Sequence, residues 1–136
     1  MVRDIVRDVM FLCMKSDDAV REDIDIAQDL LDTLNANRHR CVGLAANMIG
    51  CRKRIIAVSI GFTDAVMINP RIISKKDPYD TVEGCLSLDG ERPAVRYAEI
   101  EVEYMDIAWK KRRITLRGFP AQICQHEIDH CEGILI

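Results

Sequence analysis

The amino-acid sequence predicts an α+β fold, with antiparallel sheets packed around a C-terminal helix and one amphipathic helix near the N-terminus. Two observations support this class. Apolar residues recur at three- and four-residue steps in two segments, which is the spacing of one helical face. Between those segments lie several short runs of β-branched or alternating residues, which are typical of strands.

The first helix is predicted over residues 22–37, because its apolar side chains share one face: Ile24, Ala27, Leu30, Leu31 and Leu34. The second helix is predicted to begin at Pro120, which suits the first turn of a helix, and to end at Gly133. Residues at helical spacing in this segment are Ile123, Cys124, Glu127, Ile128 and Cys131.

Strands are predicted over residues 54–60, over residues 65–69, and again at 72–73 after a break at Pro70. The clearest strand covers residues 99–104, where Ile100, Val102 and Tyr104 alternate with three glutamates and so form one buried face. Residues 107–109 and 114–116 are expected to be strands that flank a solvated turn containing the basic residues 110–113. This region is therefore predicted to be an antiparallel meander.

Length and composition exclude several classes of protein. At 136 residues the chain is expected to form a single domain over residues 1–136. Its net charge of -3 and lack of a basic face argue against direct nucleic-acid binding. No apolar stretch approaches the roughly 20 residues of a membrane span, and the start of the chain lacks a signal-peptide pattern. We therefore expect a cytoplasmic monomer whose six cysteines are thiols.

The sequence H-E-I-D-H at residues 126–130 indicates a metal site on the last helix. His126 and His130 are four residues apart and lie on one helical face, so both imidazoles can reach one ion. Glu127 is then placed to accept a proton from a water molecule. The alternative is a helix with exposed polar residues, since this short motif also occurs by chance, and a third ligand would decide between them.

Two other segments are weak signals when each is taken alone. Cys85 lies in E-G-C-L-S at residues 83–87, but a lone cysteine is more often a small buried hydrophobic residue than a ligand. Residues 41–50 combine glycines with small side chains, which allow a ligand to approach the backbone closely but also occur in tight packing turns.

Taken together and in this order, the three segments resemble the signature motifs of peptide deformylases: G-x-G-x-A-A, E-G-C-L-S and Q-H-E-x-D-H. The second motif is complete at residues 83–87 and the third at residues 125–130. The resemblance extends over almost the whole chain.

The resemblance implies a divalent metal ion held by Cys85, His126 and His130, with Glu127 as general base. Two imidazoles and a thiolate leave a fourth position open, as in catalytic rather than structural sites. The implied ion is Fe²⁺ in the cell, with Zn²⁺, Ni²⁺ or Co²⁺ possible in purified protein. The implied reaction is hydrolysis of the formyl group of N-formylmethionyl peptides and nascent chains, with transient contact to the ribosome possible. The backbone N–H of Leu86 is the implied donor to the oxyanion.

In this family the peptide lies extended against the first motif. The expected substrate contacts are therefore Val42, Gly43, Leu44, Met48, Gly84 and Ile123. Ile123 has an ordinary core position as its alternative. Glu83 is expected to support the ligands through a basic partner such as Arg96, or else to be an exposed charge.

The first motif departs from the family at two positions. Relatives usually read A-A-P-Q where this chain has Ala45-Ala46-Asn47-Met48, so methionine replaces the glutamine that donates to the oxyanion. Losing one such donor typically lowers turnover about 100- to 1,000-fold, and Asn47 is the nearest residue that could replace it. Cys41 also stands where the first glycine is usual.

Two further functions stay open at this point. A homologue that binds metal and formylated N-termini with little turnover would account for Met48. A peptide-cleaving zinc protease would account for H-E-x-x-H but leaves residues 83–87 unexplained.

Overall fold

A five-stranded antiparallel sheet forms most of the structure, a computed structural model that describes residues 1–136. Each strand pairs with the next along the chain, so the sheet is a meander in which the first and last strands are the edges. The strands are β1 (Gly43–Ala45), β2 (Ile55–Ser59), β3 (Asp64–Cys85), β4 (Leu88–Met105) and β5 (Lys111–Arg117). The α+β prediction is confirmed.

Three α-helices accompany the sheet: α1 (Val9–Leu12), α2 (Ile24–Ala36) and α3 (Phe119–Cys131). Short 3-10 turns at Arg21–Asp23 and Ala46–Ile49 complete the helical segments. The predicted boundaries of the two longer helices agree with the structure to within about two residues, whereas α1 was not predicted. Helix α2 packs the buried side chains of Leu30 and Leu34 into the same core as Ile56 and Val58 of β2.

A glycine with a positive φ lies just outside each end of the C-terminal helix. Gly118 precedes it with a positive φ of 64°, and a proline occupies the first turn. Gly133 follows with a φ of 75°, and a Cβ there would lie 2.5 Å from the carbonyl oxygen of Cys13. The helix therefore ends where the chain passes closely over the N-terminal segment, and no larger residue fits.

Strands β3 and β4 form a hairpin far longer than the predicted strands. At Pro70 the strand does not end. Instead, its pairing with β4 shifts register between Ile68 and Arg71, and Asn69 has a positive φ of 53°. The Asn69 side chain accepts from the Ala19 N–H and donates to the Ala19 carbonyl, which holds this bulge. The chain therefore bends at Pro70 and continues as a strand to Cys85.

The predicted position of the turn after β4 was wrong. Residues 107–109 are not a strand. They lie in the turn, because the Asp106 carboxylate accepts from the backbone N–H groups of Ala108 and Lys110. The basic cluster at 110–113 lies mainly in β5, where Arg113 pairs with Glu103 and Arg112 with Asp106. The glutamates on the exposed face of β4 thus bind cations on the next strand.

Two observations concern the chain as a whole. No helix is long and apolar enough to cross a membrane. All six cysteines are free thiols, and those at 124 and 131 are buried in the core.

Candidate metal centre

Helix α3 brings two imidazoles together inside the protein. The side chains of His126 and His130 lie one turn apart, and their Nε2 atoms are 3.2 Å apart. His130 is fully buried and His126 is 8% exposed. Both rings therefore direct a nitrogen to the same point, which an exposed polar helix face would not do.

Cys85 supplies a third donor from the other side of this point. It is the last residue of β3, where the chain turns into β4, and its Sγ lies 3.2 Å from the His130 Nε2. The three donor atoms all lie within 4.8 Å of one another. Two nitrogens bound tetrahedrally at ordinary zinc–nitrogen distances are about 3.3 Å apart, so the observed spacing fits one ion.

A buried carboxylate fixes the orientation of His126. Glu83, two residues before Cys85, accepts a hydrogen bond of 2.8 Å from the His126 Nδ1–H. It also accepts two from the Arg96 guanidinium, at 2.9 and 2.7 Å, and one from the Gln122 amide. Arg96 in turn donates to Asp129 at 2.6 Å. With its Nδ1 occupied, Nε2 is the nitrogen that His126 would offer to an ion.

These contacts shift the protonation equilibria. Burial alone would raise the pKa of Glu83, but hydrogen bonds from His126, Arg96 and Gln122 outweigh it and lower the pKa to about 2. Burial opposes charge on His126, yet its hydrogen bonds with Cys85 and Glu83 raise its pKa to about 10. Burial and the neighbouring charge of His126 lower the pKa of His130 to about 3. A metal ion at this point would compete with a proton for His126.

Glu127 lies beside the donors but has a different environment. It is 4% exposed, and burial raises its pKa to about 7. Its Oε1 has no hydrogen-bond partner in the protein. A Cβ on Gly43 would come within 2.9 Å of the Glu127 Oε2, so strand β1 approaches this carboxylate as closely as a glycine allows.

A cleft of about 610 Å³ opens onto this centre. Its walls include the predicted oxyanion donor Leu86, together with five of the six predicted substrate contacts: Val42, Gly43, Met48, Gly84 and Ile123. Leu44 is the exception. Its side chain is fully buried in the core and is not part of the wall, because alternate residues of β1 point to opposite faces.

The residues that depart from the family's first motif differ in their position relative to the cleft. Met48 lines the wall, and its Sδ accepts from the backbone N–H of Ala45 at a nitrogen–sulfur distance of 3.5 Å. Asn47 does not line it: its Nδ2 donates to the His130 carbonyl at 2.9 Å. The idea that Asn47 replaces the missing amide is therefore not supported by its position. Cys41 lines the cleft as well, and burial and the charge of Glu127 raise its pKa to about 11.

Comparison with known proteins agrees with this geometry. The sequence profile of the family described as polypeptide deformylase matches residues 5–136. A peptide deformylase of Clostridium beijerinckii is 51% identical over 136 residues, which is the whole of both chains. The chain belongs to the polypeptide deformylase family.

Other deformylases extend the comparison. One from Prochlorococcus marinus is 37% identical over 89% of this chain and 61% of its own length. A crystal structure of a class I type b peptide deformylase from Acinetobacter baumannii matches with a TM-score of 0.89 and 26% identity, over 99% of this chain and 97% of that one. Further Acinetobacter baumannii structures, at TM-scores of 0.89 and 0.88, contain Met-Ala-Ser or actinonin. The arrangement of strands and helices is thus that of the deformylases.

Several residues around the site were missed by the sequence reasoning. Asp129 and Gln122 bind Arg96 and Glu83, and Arg7 reaches the cleft from the N-terminal segment to donate to the Leu86 carbonyl. Asp129 and Gln122 lie near the histidines on α3, so their helical spacing could have indicated them. Arg7 is 79 residues from Leu86, and no local pattern indicates such a contact.

The low pKa of Glu83 leads to a pH-dependent prediction. The folded-state pKa of Glu83 is about 2, below the ordinary 4.5, so the ionised carboxylate stabilises the fold. This stabilisation is complete above pH 4.5 and is lost as the pH falls towards 2. In chelator-treated protein, Glu83→Gln should lower the free energy of unfolding at pH 7 by about 3 kcal/mol, because Arg96 loses a buried partner. The difference should shrink below pH 4.5.

Denaturant unfolding at pH 7 and pH 3.5 measures this difference. Glu99→Gln is the matched control, because Glu99 also binds two cations but lies at the surface. Equal losses in both variants at pH 7 would contradict the assigned role of Glu83.

Proposed function

We propose that this protein is a metal-dependent peptide deformylase that removes the formyl group from N-formylmethionyl nascent chains and releases formate. The observation that carries the proposal is the convergence of Cys85, His126 and His130 next to the partnerless carboxylate oxygen of Glu127. Membership of the deformylase family supports the same reaction. A peptide-cleaving protease is not favoured, because it leaves the Cys85 segment without a role.

Cys85, His126 and His130 would hold one divalent ion. When bound, the ion would supply a Lewis acid that acidifies water and polarises the formyl carbonyl. We propose Fe²⁺ as the ion in the cell, with Zn²⁺, Ni²⁺ or Co²⁺ as occupants of purified protein. The donor set of one thiolate and two imidazoles suits all four.

Glu127 would act as the general base. Its carboxylate adjoins the metal ligands, and an Oε1 without a protein partner is free to accept a proton from the attacking water. The same carboxylate could pass this proton to the departing amine, which completes hydrolysis.

Strand β1 would hold the peptide. β1 is an edge strand that pairs only with β2, so its other edge is open. The Ser59 N–H donates to the Val42 carbonyl, and in an antiparallel ladder the next residue, Gly43, directs its N–H and C=O the opposite way. An extended peptide can thus pair with Gly43 while its methionine side chain contacts Ile123 and Met48 in the cleft.

The oxyanion of the reaction would be held by the N–H of Leu86, which follows Cys85 in the cleft wall. Neither Met48 nor Asn47 replaces the missing glutamine amide, because Met48 has no donor and the Asn47 amide binds the His130 carbonyl. This observation favours a second candidate function, a homologue that binds metal and formylated N-termini with slow turnover. Formate release under saturating peptide separates the two.

The cellular compartment, the oligomeric state and the extent of the domain are also part of the proposal. Nascent chains are the substrates, so we propose a monomeric enzyme of the cytoplasm that contacts the ribosome transiently. The catalytic domain is proposed to be residues 1–136 as one unit.

The role of Glu127 predicts the effect of one conservative change. Glu127→Gln keeps the shape and should retain the metal, but should lower kcat by about 100-fold or more, because the amide accepts no proton. Formate release and metal content are measured on the same preparation. Asp89→Asn, which also removes one carboxylate charge from the cleft but touches no metal ligand, is the control for altered charge nearby. A Glu127→Gln variant with most of its activity would refute the general-base assignment.

Position 48 predicts a gain of function. If this residue faces the oxyanion, Met48→Gln supplies a donor that acts only in the transition state, so kcat should rise by about 10-fold or more while KM is nearly unchanged.

Asn47→Ala is the matched variant. Because the Asn47 amide supports the end of α3, this change should reduce stability but leave kcat of the folded protein nearly unchanged. Assays with one formyl-Met peptide compare both variants. If Met48→Gln has no effect and Asn47→Ala lowers kcat, the oxyanion donor is Asn47.

A further inference from the structure

Arg40 differs from the other arginine that lines the cleft. The guanidinium of Arg7 forms an ion pair of 2.6 Å with Asp89. Arg40 lines the same cleft, but its guanidinium has no carboxylate within salt-bridge distance. Two residues earlier, Arg38 lies outside the cleft and is paired with Asp64. Arg40 is therefore a cation at the cleft whose charge the protein does not neutralise.

The position of Arg40 is fixed by Asn37. The Asn37 carbonyl oxygen accepts from the backbone N–H groups of Arg40 and Cys41, which closes the turn after α2. The Asn37 Oδ1 accepts from the Arg40 Nη2 at 3.1 Å and Nε at 3.3 Å. Asn37 is itself 9% exposed and donates to the Thr33 carbonyl. A nearly buried amide thus orients the guanidinium before any ligand arrives, which lowers the entropic cost of binding.

The path of the peptide leads from the metal centre to Arg40. Gly43 lies against Glu127, so in the proposed reaction the formyl end of the substrate would lie at Gly43. A peptide that pairs antiparallel with β1 then runs past Val42 and Cys41 towards Arg40. At about 3.3 Å per residue, its third residue comes within reach of the Arg40 side chain.

We propose that Arg40 is a specificity-determining residue that binds a carboxylate on the third residue of the formylated peptide. This inference rests on the proposed deformylase function. The formyl end of the substrate is uncharged, so the charge that Arg40 meets must come from residues downstream. In a nascent chain this carboxylate is an aspartate or glutamate side chain, whereas in a short peptide it can also be the C-terminal carboxylate.

The interaction is far from the scissile bond, so it stabilises ground state and transition state equally. It should therefore act on KM and leave kcat unchanged. Arg40 is exposed, and ion pairs at exposed sites change binding by up to about fivefold. The effect should fall as salt screens the pair.

The test compares two peptide amides, formyl-Met-Ala-Asp-amide and formyl-Met-Ala-Asn-amide, which differ in one charge. The metal-loaded wild-type protein should prefer the aspartate peptide by about three- to fivefold in kcat/KM, through KM, and the ratio should approach one at high ionic strength. Arg40→Gln should reduce the ratio to about one, and Arg40→Glu should reverse it. Arg38→Gln, which removes a nearby cation outside the cleft, should keep the wild-type ratio.

A further arm separates the two sources of carboxylate. If formyl-Met-Ala-Ser as free acid outperforms its amide while the aspartate peptide does not, Arg40 binds only a chain terminus and the proposal for nascent chains is overturned. Equal ratios in wild type and Arg40→Gln overturn it as well. Both results are distinct from failure of the deformylase assignment, in which no formyl peptide is hydrolysed at all.

Discussion

The structure depends on one buried carboxylate. Glu83 lies at the end of β3 and accepts hydrogen bonds from Arg96 on β4 and from Gln122 and His126 on α3. A buried charge is tolerated only when such partners satisfy it. Because these contacts join the long hairpin to the C-terminal helix, they also set where Cys85 stands relative to the two histidines. The same contacts therefore determine both the packing of α3 and the positions of the three candidate metal ligands.

The cleft divides into regions with different chemistry. At its inner end, Glu127 lies beside Gly43, where the absence of a side chain lets the strand approach. Its wall contains apolar contacts such as Ile123 and Met48. At the segment before β1, the cation Arg40 is oriented by Asn37. A substrate with an uncharged formyl end, an apolar first side chain and a downstream carboxylate matches this order.

Much of this arrangement could be predicted from sequence because it rests on local periodicity. Helices α2 and α3 follow from their apolar spacing, and the four-residue interval between His126 and His130 places both rings on one face. The long β3–β4 hairpin could not be predicted, since residues such as Lys75 and Asp77 are polar and lie on strands exposed to solvent, so no buried face reveals them. The bulge at Asn69 and the contact of Arg7 with Leu86 depend on residues distant in sequence. Cys85 reaches the helix because it lies at the end of the β3–β4 hairpin. Local periodicity does not reveal this long-range contact, so only the motif around Cys85 indicated it.

The central claim is that one ion is bound by one sulfur and two nitrogens, and X-ray absorption at the metal edge tests it most directly. Protein reconstituted with Zn²⁺ or, without oxygen, with Fe²⁺ should hold one ion per chain, with one sulfur at about 2.3 Å and two imidazole nitrogens at about 2.0–2.1 Å for zinc. Cys85→Ser should abolish the sulfur signal, while Cys41→Ser, at the other cysteine of the cleft, should retain it. An ion bound without sulfur in the wild type, or a sulfur signal that persists in Cys85→Ser, would contradict the account.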